Sequence, residues 1–376
     1  MKDLKEIRER IDTIDHELVS LFQERMDCAR EVAEYKKGKG MGVYDRKREE
    51  EKLVSLSEQV EGFFLKRSIK ELFRQIMSIS RKYQYQLLGT RDRYIENYFH
   101  QVDELTIFDD TRVVYQGVEG AYSQLAAEKF FGEAVDNYHV DTFDDVAKAL
   151  NNGDADYGVL PIENSSAGNV EGNYDILLKN DVCIVGEVII SIEHALIGLP
   201  GSTKEDIKIV YSHPQGLMQC REYLNEMNVK KISVNNTAGA AKKVLKEQDA
   251  SHGAVASERA AALYGLSILE RKINDRPNNS TRFFILSKKR QYKKNADKVS
   301  ISFSLPHESG TLYNILSHLI FNDLSMTNIE SAPLRDREWE YRFFIDVEGN
   351  LRDPAMKNAL KGIREETADF KILGNY

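Results

Sequence analysis

The first 88 residues contain no proline, and their apolar side chains recur at spacings of three and four. A chain with that rhythm and few β-branched runs folds as helix. Leu4, Ile7, Ile11, Ile14, Leu18 and Leu21 make the clearest stretch, the stripe of a helix face held against other helices. The next step of the stripe is Arg25, and Lys36 follows eleven residues later. Eleven residues at about 100° each return to within roughly 20° of the same direction, about 16 Å further along the axis. Two long cations on a stripe that should be core need something anionic, because unpaired buried charge costs several kcal/mol. Either carboxylates of the protein or a bound anion must supply it.

The pattern predicts one helix from about residue 3 to 37, a break at Gly38–Gly42, a second helix from about Asp45 and a third from about Phe64 to Leu88. Arg8 lies on the first helix seventeen residues before Arg25, roughly 25 Å away along the axis. One straight helix therefore does not bring both to one small ligand, and a shared site requires two chains in an intertwined dimer. Asp45, Arg48 and Glu49 share a helix face, as do Ser80 and Gln84. The result is a polar, cation-rich pocket without a cysteine or histidine nucleophile and without a metal cluster.

Residues 89–110 are charged and weakly patterned, a linker. From Arg112 strands and helices alternate to about Ser287, which predicts parallel sheet with crossover helices. Val113–Tyr115 reads as a strand, and Gly117-Val-Glu-Gly120 turns into a helix starting near Ser123. The region contains a repeat: Thr142–Leu150 and Asp154–Glu163 match Thr237–Leu245 and Asp249–Glu258 at a constant offset of 95. Each copy reads as a Thr-capped helix, a turn and a buried strand that opens into a polar loop. Two such lobes facing each other would place Glu163-Asn164-Ser165 and Ser257-Glu258 around one cleft, where open α/β sheets bind ligands. Residues 297–376 follow the basic connector Lys288–Lys294 and read βαββαβ, a ferredoxin-like order.

Charge and composition exclude several classes. A net charge of −8 argues against nucleic-acid partners. Cys28, Cys183 and Cys220 are scattered without metal spacing, which predicts a reduced, cytoplasmic setting. The opening MKDLKEIRER does not read as a signal peptide, and no apolar run approaches the roughly 20 residues that cross a bilayer.

The helical residues form a pattern that resembles the helical chorismate mutase family. It is carried by Ile7-Arg8-Glu9-Arg10-Ile11-Asp12, Glu24-Arg25, Lys36, Asp45-Arg46-Lys47-Arg48-Glu49, Ser80 and Gln84. The resemblance implies that chorismate rearranges to prephenate here, with Arg25 and a partner's Arg8 on carboxylates. It implies that Lys36 and Gln84 donate to the breaking ether oxygen and that Glu49 takes the ring hydroxyl. Arg48 and Ser80 complete the pocket, and Asp45 contributes by backbone position. Such a pericyclic step needs no cofactor or metal, only a clamp on the reactive conformer and donors where negative charge builds.

The middle region, through Gly120-Ala-Tyr-Ser123, Pro161-Ile-Glu-Asn-Ser-Ser166, Tyr211-Ser-His-Pro-Gln215 and Thr281-Arg-Phe283, looks like prephenate dehydratase, a two-lobed fold of the periplasmic-binding-protein kind. The resemblance implies loss of carbon dioxide and hydroxide from prephenate to give phenylpyruvate. Thr281 is then the catalytic residue, with Glu163, Asn164, Ser165, Ser212, Gln215 and Phe283 lining the pocket. Arg282 faces either a substrate carboxylate or a salt-bridge partner, and His213 before Pro214 reads as structural. His307–Leu312 and Ile329–Pro333 resemble the phenylalanine-binding motifs of ACT regulatory domains. They imply an L-phenylalanine site of Gly310, Leu312, Asp323, Glu330 and Ser331 at a subunit interface, with Ala332 and Asp323 standing where Arg and Asn are usual. The whole predicts a mutase in residues 1–88, a dehydratase in 111–290 and an ACT domain in 297–376, assembled as a homodimer or homotetramer. The rival reading is a non-enzymatic amino-acid sensor, against which both site sets are complete.

Overall fold

The computed structural model describes residues 3–88, 92–170, 172–334, 337 and 339–376; the first three residues of the expected linker at 89–110 lie outside this set. The chain divides into two compact units, residues 1–98 with 297–372 and residues 99–296 with 373–376.

The first unit opens with α1 (Leu4–Lys39), α2 (Arg46–Ser57) and α3 (Phe63–Leu87). Asp3 caps α1 through its side chain, and Gly40 ends it in the left-handed region at φ +65°, two residues beyond the expected end. Asp45 caps α2, its Oδ1 accepting the Arg48 N–H at 3.1 Å. α3 packs along both other helices. The apolar stripe behaves differently from the expectation. Ala29 and Ala33 are buried, but Leu4, Ile7, Ile11, Ile14, Leu18 and Leu21 are 42–62% exposed. α3 meets α1 around Arg25, through the Ile76 carbonyl and Ser80, and the N-terminal half of the stripe stays bare within the single chain.

Residues from 298 on have the expected βαββαβ order: strand Lys298–Pro306, helix Thr311–Phe321, strands Met326–Pro333 and Glu340–Glu348, helix Pro354–Glu366 and strand Ala368–Asn375, whose residues from 373 on count with the second unit. The middle pairings are antiparallel, with Phe303 opposite Phe343 and Ile329 opposite Ile345. Both helices of this part lie against α3. They approach each other closely at Gly362, where an added Cβ would meet the His318 ring at 2.5 Å.

Besides the parallel pair of His100–Val102 with Gln291–Lys293, the second unit holds strands of two larger sheets. In the first, Cys183–Ser191, Ser280–Ser287, Tyr157–Asn164, Arg112–Gln116 and Asp136–Val140 lie in that order; in the second, Ser267–Glu270, Ala195–Gly198, His252–Ala256, Ile209–Ser212 and Lys230–Ser233. The expectation of parallel sheet holds for only part of each. Arg112–Gln116 is parallel to both its neighbours, but Ser280–Ser287 is antiparallel to both of its own, and Ala195–Gly198 likewise. The cause is the chain path: it leaves the first lobe near Ile192 and returns near Asn279, so the strands on either side of each crossing enter reversed. The two crossings run side by side, tied by Ile192 N–H to Asn279 O at 2.8 Å, Ile273 N–H to His194 O at 3.0 Å, His194 N–H to Asn274 Oδ1 at 2.7 Å and Asn274 Nδ2 to Ile192 O at 3.0 Å.

Candidate functional site

Arg25, Lys36, Asp45, Arg48, Glu49, Ser80 and Gln84 all line one cavity of about 320 Å³ among α1, α2 and α3. Their convergence follows from helix geometry: Arg25 and Lys36 share a stripe of α1, the capping turn sets Arg48 and Glu49 on the first turn of α2, and Ser80 and Gln84 are one turn apart on α3. Arg25 Nη1 donates to Ser80 Oγ, and Lys36 Nζ donates to the Val43 carbonyl at 2.5 Å. Burial lowers the pKa of both cations, with Glu49 opposing it at Arg25 and Asp45 opposing it at Lys36. Gln84 Oε1 is buried and has no hydrogen-bond partner among the described residues, an orphan a native interior rarely tolerates without a ligand or water. Arg8 sits on the exposed half of α1, outside this cavity.

Among the lining residues that were not foreseen, Arg81 has the most extensive ion pairing. Arg81 of α3 donates to Glu49 and forms a two-pronged pair with Glu366, Nε to Oε1 at 2.8 Å and Nη2 to Oε2 at 2.9 Å. Burial works against its charge, but the Glu366 and Glu49 carboxylates outweigh that and hold its pKa above the usual range. In the sequence it stands in the run Ser80-Arg-Lys82, which reads as a solvated face.

In the second unit the structure gathers Asn164, Ser165 and Thr281 at the end of adjacent strands. Asn164 Nδ2 lies 2.9 Å from Thr281 Oγ1, 2.9 Å from Asn279 Oδ1 and 3.1 Å from the Ser280 carbonyl. Its Oδ1 accepts the Ser166 and Ala167 N–H groups at 3.1 and 3.0 Å and the Ser166 hydroxyl at 2.7 Å. Thr281 Oγ1 is thus an acceptor, and no acceptor for its own proton is found among the described residues. Ser165 ties the loop to Asn278 and Ser280. Beside this group a cavity of about 610 Å³ is lined by Ser166, Gln215, Gln219 and Asn279. The Gln215 Nε2 and Asn279 Nδ2 amides are buried there without partners among the described residues. Behind it Gln219 Nε2 reaches Ser166 Oγ at 2.8 Å, and its Oε1 meets His194 Nε2 at 3.0 Å. Burial lowers the His194 pKa, with the Gln219 hydrogen bond opposing; Gln219 Nε2 is committed to Ser166, so its Oε1 accepts and the His194 Nε2–H donates.

Other expected members lie elsewhere. Phe283 is a core residue of the first lobe, 2% exposed among Val159, Ile190 and Ile285. Ser212 is fully buried and donates to the Val255 carbonyl at 2.7 Å. Glu163 pairs with Arg282 at 3.5 Å, and Arg282 also reaches Glu187, which answers the choice left open for Arg282 in favour of a salt bridge. Ser257 caps a helix and, with Glu258, lines a different cavity of about 490 Å³ beside Tyr122 and Lys129. The two loops of the repeat therefore do not open on one pocket. The second repeat helix is capped by Asn236, not Thr237. His213 caps the Pro214–Gln219 helix, the structural role expected of it. Gly310 has φ +85° and precedes the Thr311–Phe321 helix, Leu312 is half-buried, Asp323 has φ +52° at the far end, and Glu330 and Ser331 lie on the Met326–Pro333 strand. Among the described residues no cluster of metal ligands occurs and no helix is long and apolar enough to cross a membrane.

The chorismate mutase type II family model matches residues 7–85, and the prephenate dehydratase family model matches residues 113–291. A bifunctional chorismate mutase/prephenate dehydratase of Stutzerimonas stutzeri is 37% identical over 381 residues, covering 99% of this chain and 97% of that protein. The chain belongs to the bifunctional chorismate mutase/prephenate dehydratase family. It is accordingly an enzyme of two activities, an isomerase joined to a carbon–oxygen lyase. Its dehydratase portion is similar in structure to prephenate dehydratase from Arthrobacter aurescens solved in complex with L-Phe, with TM-score 0.66, 26% identity, and coverage of 71% of this chain and 89% of that one. It is also similar to GqqA, described as a novel type of quorum quenching acylase, with TM-score 0.64, 32% identity, and coverage of 70% and 97%. One fold thus serves different chemistries, and the dehydratase assignment has to rest on the residues of the site.

Proposed function

We propose that the cavity of the first unit converts chorismate to prephenate and that the Asn164–Thr281 group of the second converts prephenate to phenylpyruvate, two consecutive steps of L-phenylalanine biosynthesis. One observation carries the mutase assignment: Gln84, a neutral amide able to donate through its Nε2–H, lines the same cavity as the cations Arg25, Lys36 and Arg48. That set suits a dianion whose ether oxygen gains charge as its bond breaks, and it offers no nucleophile because none is needed. Arg25 would hold a carboxylate, Lys36 and the Gln84 amide would donate to the ether oxygen, and Glu49 would accept from the ring hydroxyl. Ser80 fixes Arg25, Arg48 adds positive charge, and Asp45 holds the helix start.

Arg8 would reach the cavity from a second copy of the chain, whose α1 would cover the bare stripe from Leu4 to Leu21. The oligomer, dimer or tetramer, is part of the proposal. So are the cytoplasm as working compartment, in keeping with three cysteines that form no disulfide, and the division into residues 1–88, 111–290 and 297–376. In the dehydratase step, a hydrogen bond from Thr281 would assist the departing hydroxyl while the carboxylate leaves as carbon dioxide and the ring becomes aromatic. Gln215 Nε2 and Asn279 Nδ2, without partners among the described residues, would donate to prephenate. The C-terminal part would act as an ACT-type sensor of L-phenylalanine, with the backbone at Gly310 taking the carboxylate and Leu312, Asp323, Glu330 and Ser331 around it.

The test separates the two sites in one full-length chain. Lys36→Ala or Gln84→Ala should remove prephenate formation while phenylpyruvate still forms from added prephenate. Thr281→Ala should do the reverse. Near-normal mutase turnover in the first pair, or retained dehydratase activity in the last, would overturn the corresponding assignment.

A further inference from the structure

In the proposed mutase site Glu49 must aim an ionised carboxylate at one hydroxyl of a small ligand. It stands on the first turn of α2 with three rotatable bonds and a side chain 21% exposed, so its aim depends on what grips it. Arg81 does: its Nη1 donates to Glu49 Oε2. Arg81 is itself gripped along its opposite edge by Glu366, through the two parallel bonds of the fork. The Arg81 and Glu366 side chains are only 7% and 6% exposed. Tyr44 lies under the guanidinium at 4.7 Å, and His318 Nε2 is 3.0 Å from Glu366 Oε1. A guanidinium with one edge fixed by two parallel bonds keeps one plane, and its remaining N–H then points one way.

We infer that Arg81 is a positioning residue for the mutase step, acting through Glu49, and that Glu366 of the C-terminal part sets the orientation of Arg81. This rests on the reading of the helical cavity as the mutase site. The neighbouring Glu365 reinforces the same edge: its Oε2 accepts the Val43 and Tyr44 N–H groups at 3.0 and 3.3 Å and the Tyr85 hydroxyl at 3.1 Å. Val43 is the residue whose carbonyl takes the Lys36 ammonium. The end of one C-terminal helix thus holds both the arm that orients Glu49 and the segment that holds Lys36.

The experiment measures chorismate and prephenate turnover on the full chain with Glu366→Gln, Arg81→Met, their double variant and Arg81→Lys. Glu366→Gln keeps the shape but loses the charge and one acceptor of the fork. Misplacement of a group that acts in the transition state costs kcat more than KM, so each single variant should lose roughly 10-fold to 100-fold in mutase kcat with KM little changed. Dehydratase turnover should stay at the parent level. Because Glu366 acts through Arg81, the double variant should be no worse than Arg81→Met alone. Arg81→Lys, which keeps the charge without the fork, should fall between Arg81→Met and the parent, and it decides the matter if Glu366→Gln loses its helical signal. A mutase kcat within about twofold of the parent for Glu366→Gln or Arg81→Lys, or fully multiplicative losses in the double variant, would overturn the inference. A parent chain inert toward chorismate would instead sink the reading on which it rests.

Discussion

Asn164→Asp changes one atom of the dehydratase site and reverses its polarity. In the native chain Asn164 Nδ2 lies within 2.9–3.1 Å of three acceptors, Thr281 Oγ1, Asn279 Oδ1 and the Ser280 carbonyl. An aspartate places oxygen there, so none of the three receives a proton from position 164. Thr281 has a remedy the Ser280 carbonyl lacks, because its hydroxyl can rotate and donate to the new carboxylate. A hydrogen bond to a charged group is worth about 1.5–3 kcal/mol, and that much must be undone before Thr281 can serve the substrate. The dehydratase kcat should therefore fall by roughly 10-fold to 150-fold. The same bond offsets part of the repulsion at Asn279 and Ser280, so the melting temperature should fall by only a few degrees, about what 1 kcal/mol produces in a domain of this size. Phenylpyruvate formation from added prephenate and a thermal melt are the assays. A kcat within about threefold of the parent would refute the view that the Asn164 amide keeps the Thr281 proton available.

Gly362→Ala should lower the melting temperature, since its methyl would press on the His318 ring; overpacking costs about 1–3 kcal/mol and outweighs the ~1 kcal/mol a helix gains from alanine. An unchanged or raised melting temperature would show that the two helices are less tightly apposed. Burial alone would raise the Glu366 carboxyl, but His318 and Arg81 override it and bring its pKa from 4.5 to about 2. A carboxyl depressed on folding stabilises above its unfolded value, and that stability is lost as pH falls through the folded value. The helical signal should therefore become easier to melt between pH 4.5 and about 2, and Glu366→Gln should flatten that dependence; an identical acid slope in the variant would count against it. Titration calorimetry with L-phenylalanine should show heat, and silence up to millimolar concentration with unaffected activity would remove the sensor.

The helical pocket was legible because helix periodicity alone fixes which side chains share a direction: Arg25 with Lys36, Asp45 with Glu49, Ser80 with Gln84. Arg81 escaped because its deciding partner, Glu366, is 285 residues away, and no local pattern separates a buried arginine from a solvated one. The stripe on α1 is apolar as its spacing predicts, but its exposure depends on where along α1 the neighbouring helix lies. The dehydratase strands were found, yet their directions were misjudged, since the two passages between lobes reverse the sense of the strands they join. Ser212 and Phe283 lay in recognisable motifs but point into the core, a distinction set by register and by the bulge between Arg282 and Phe283. Gln219 and His194 carry no local signal at all: Gln219 reaches Asn164 and Ser166, and His194 backs Gln219, across a long sequence separation.

Those passages also have a mechanical meaning. Two ribbons stitched along their length can flex together but cannot slide, so any opening of one lobe against the other is a rocking motion about the stitch. Asn279 is one of its fastenings and Asn164 is bonded to it, which puts Thr281 next to the fulcrum. Groups there keep their mutual spacing through the whole swing. The chemistry would be preassembled, and what a rocking lobe would change is access to it.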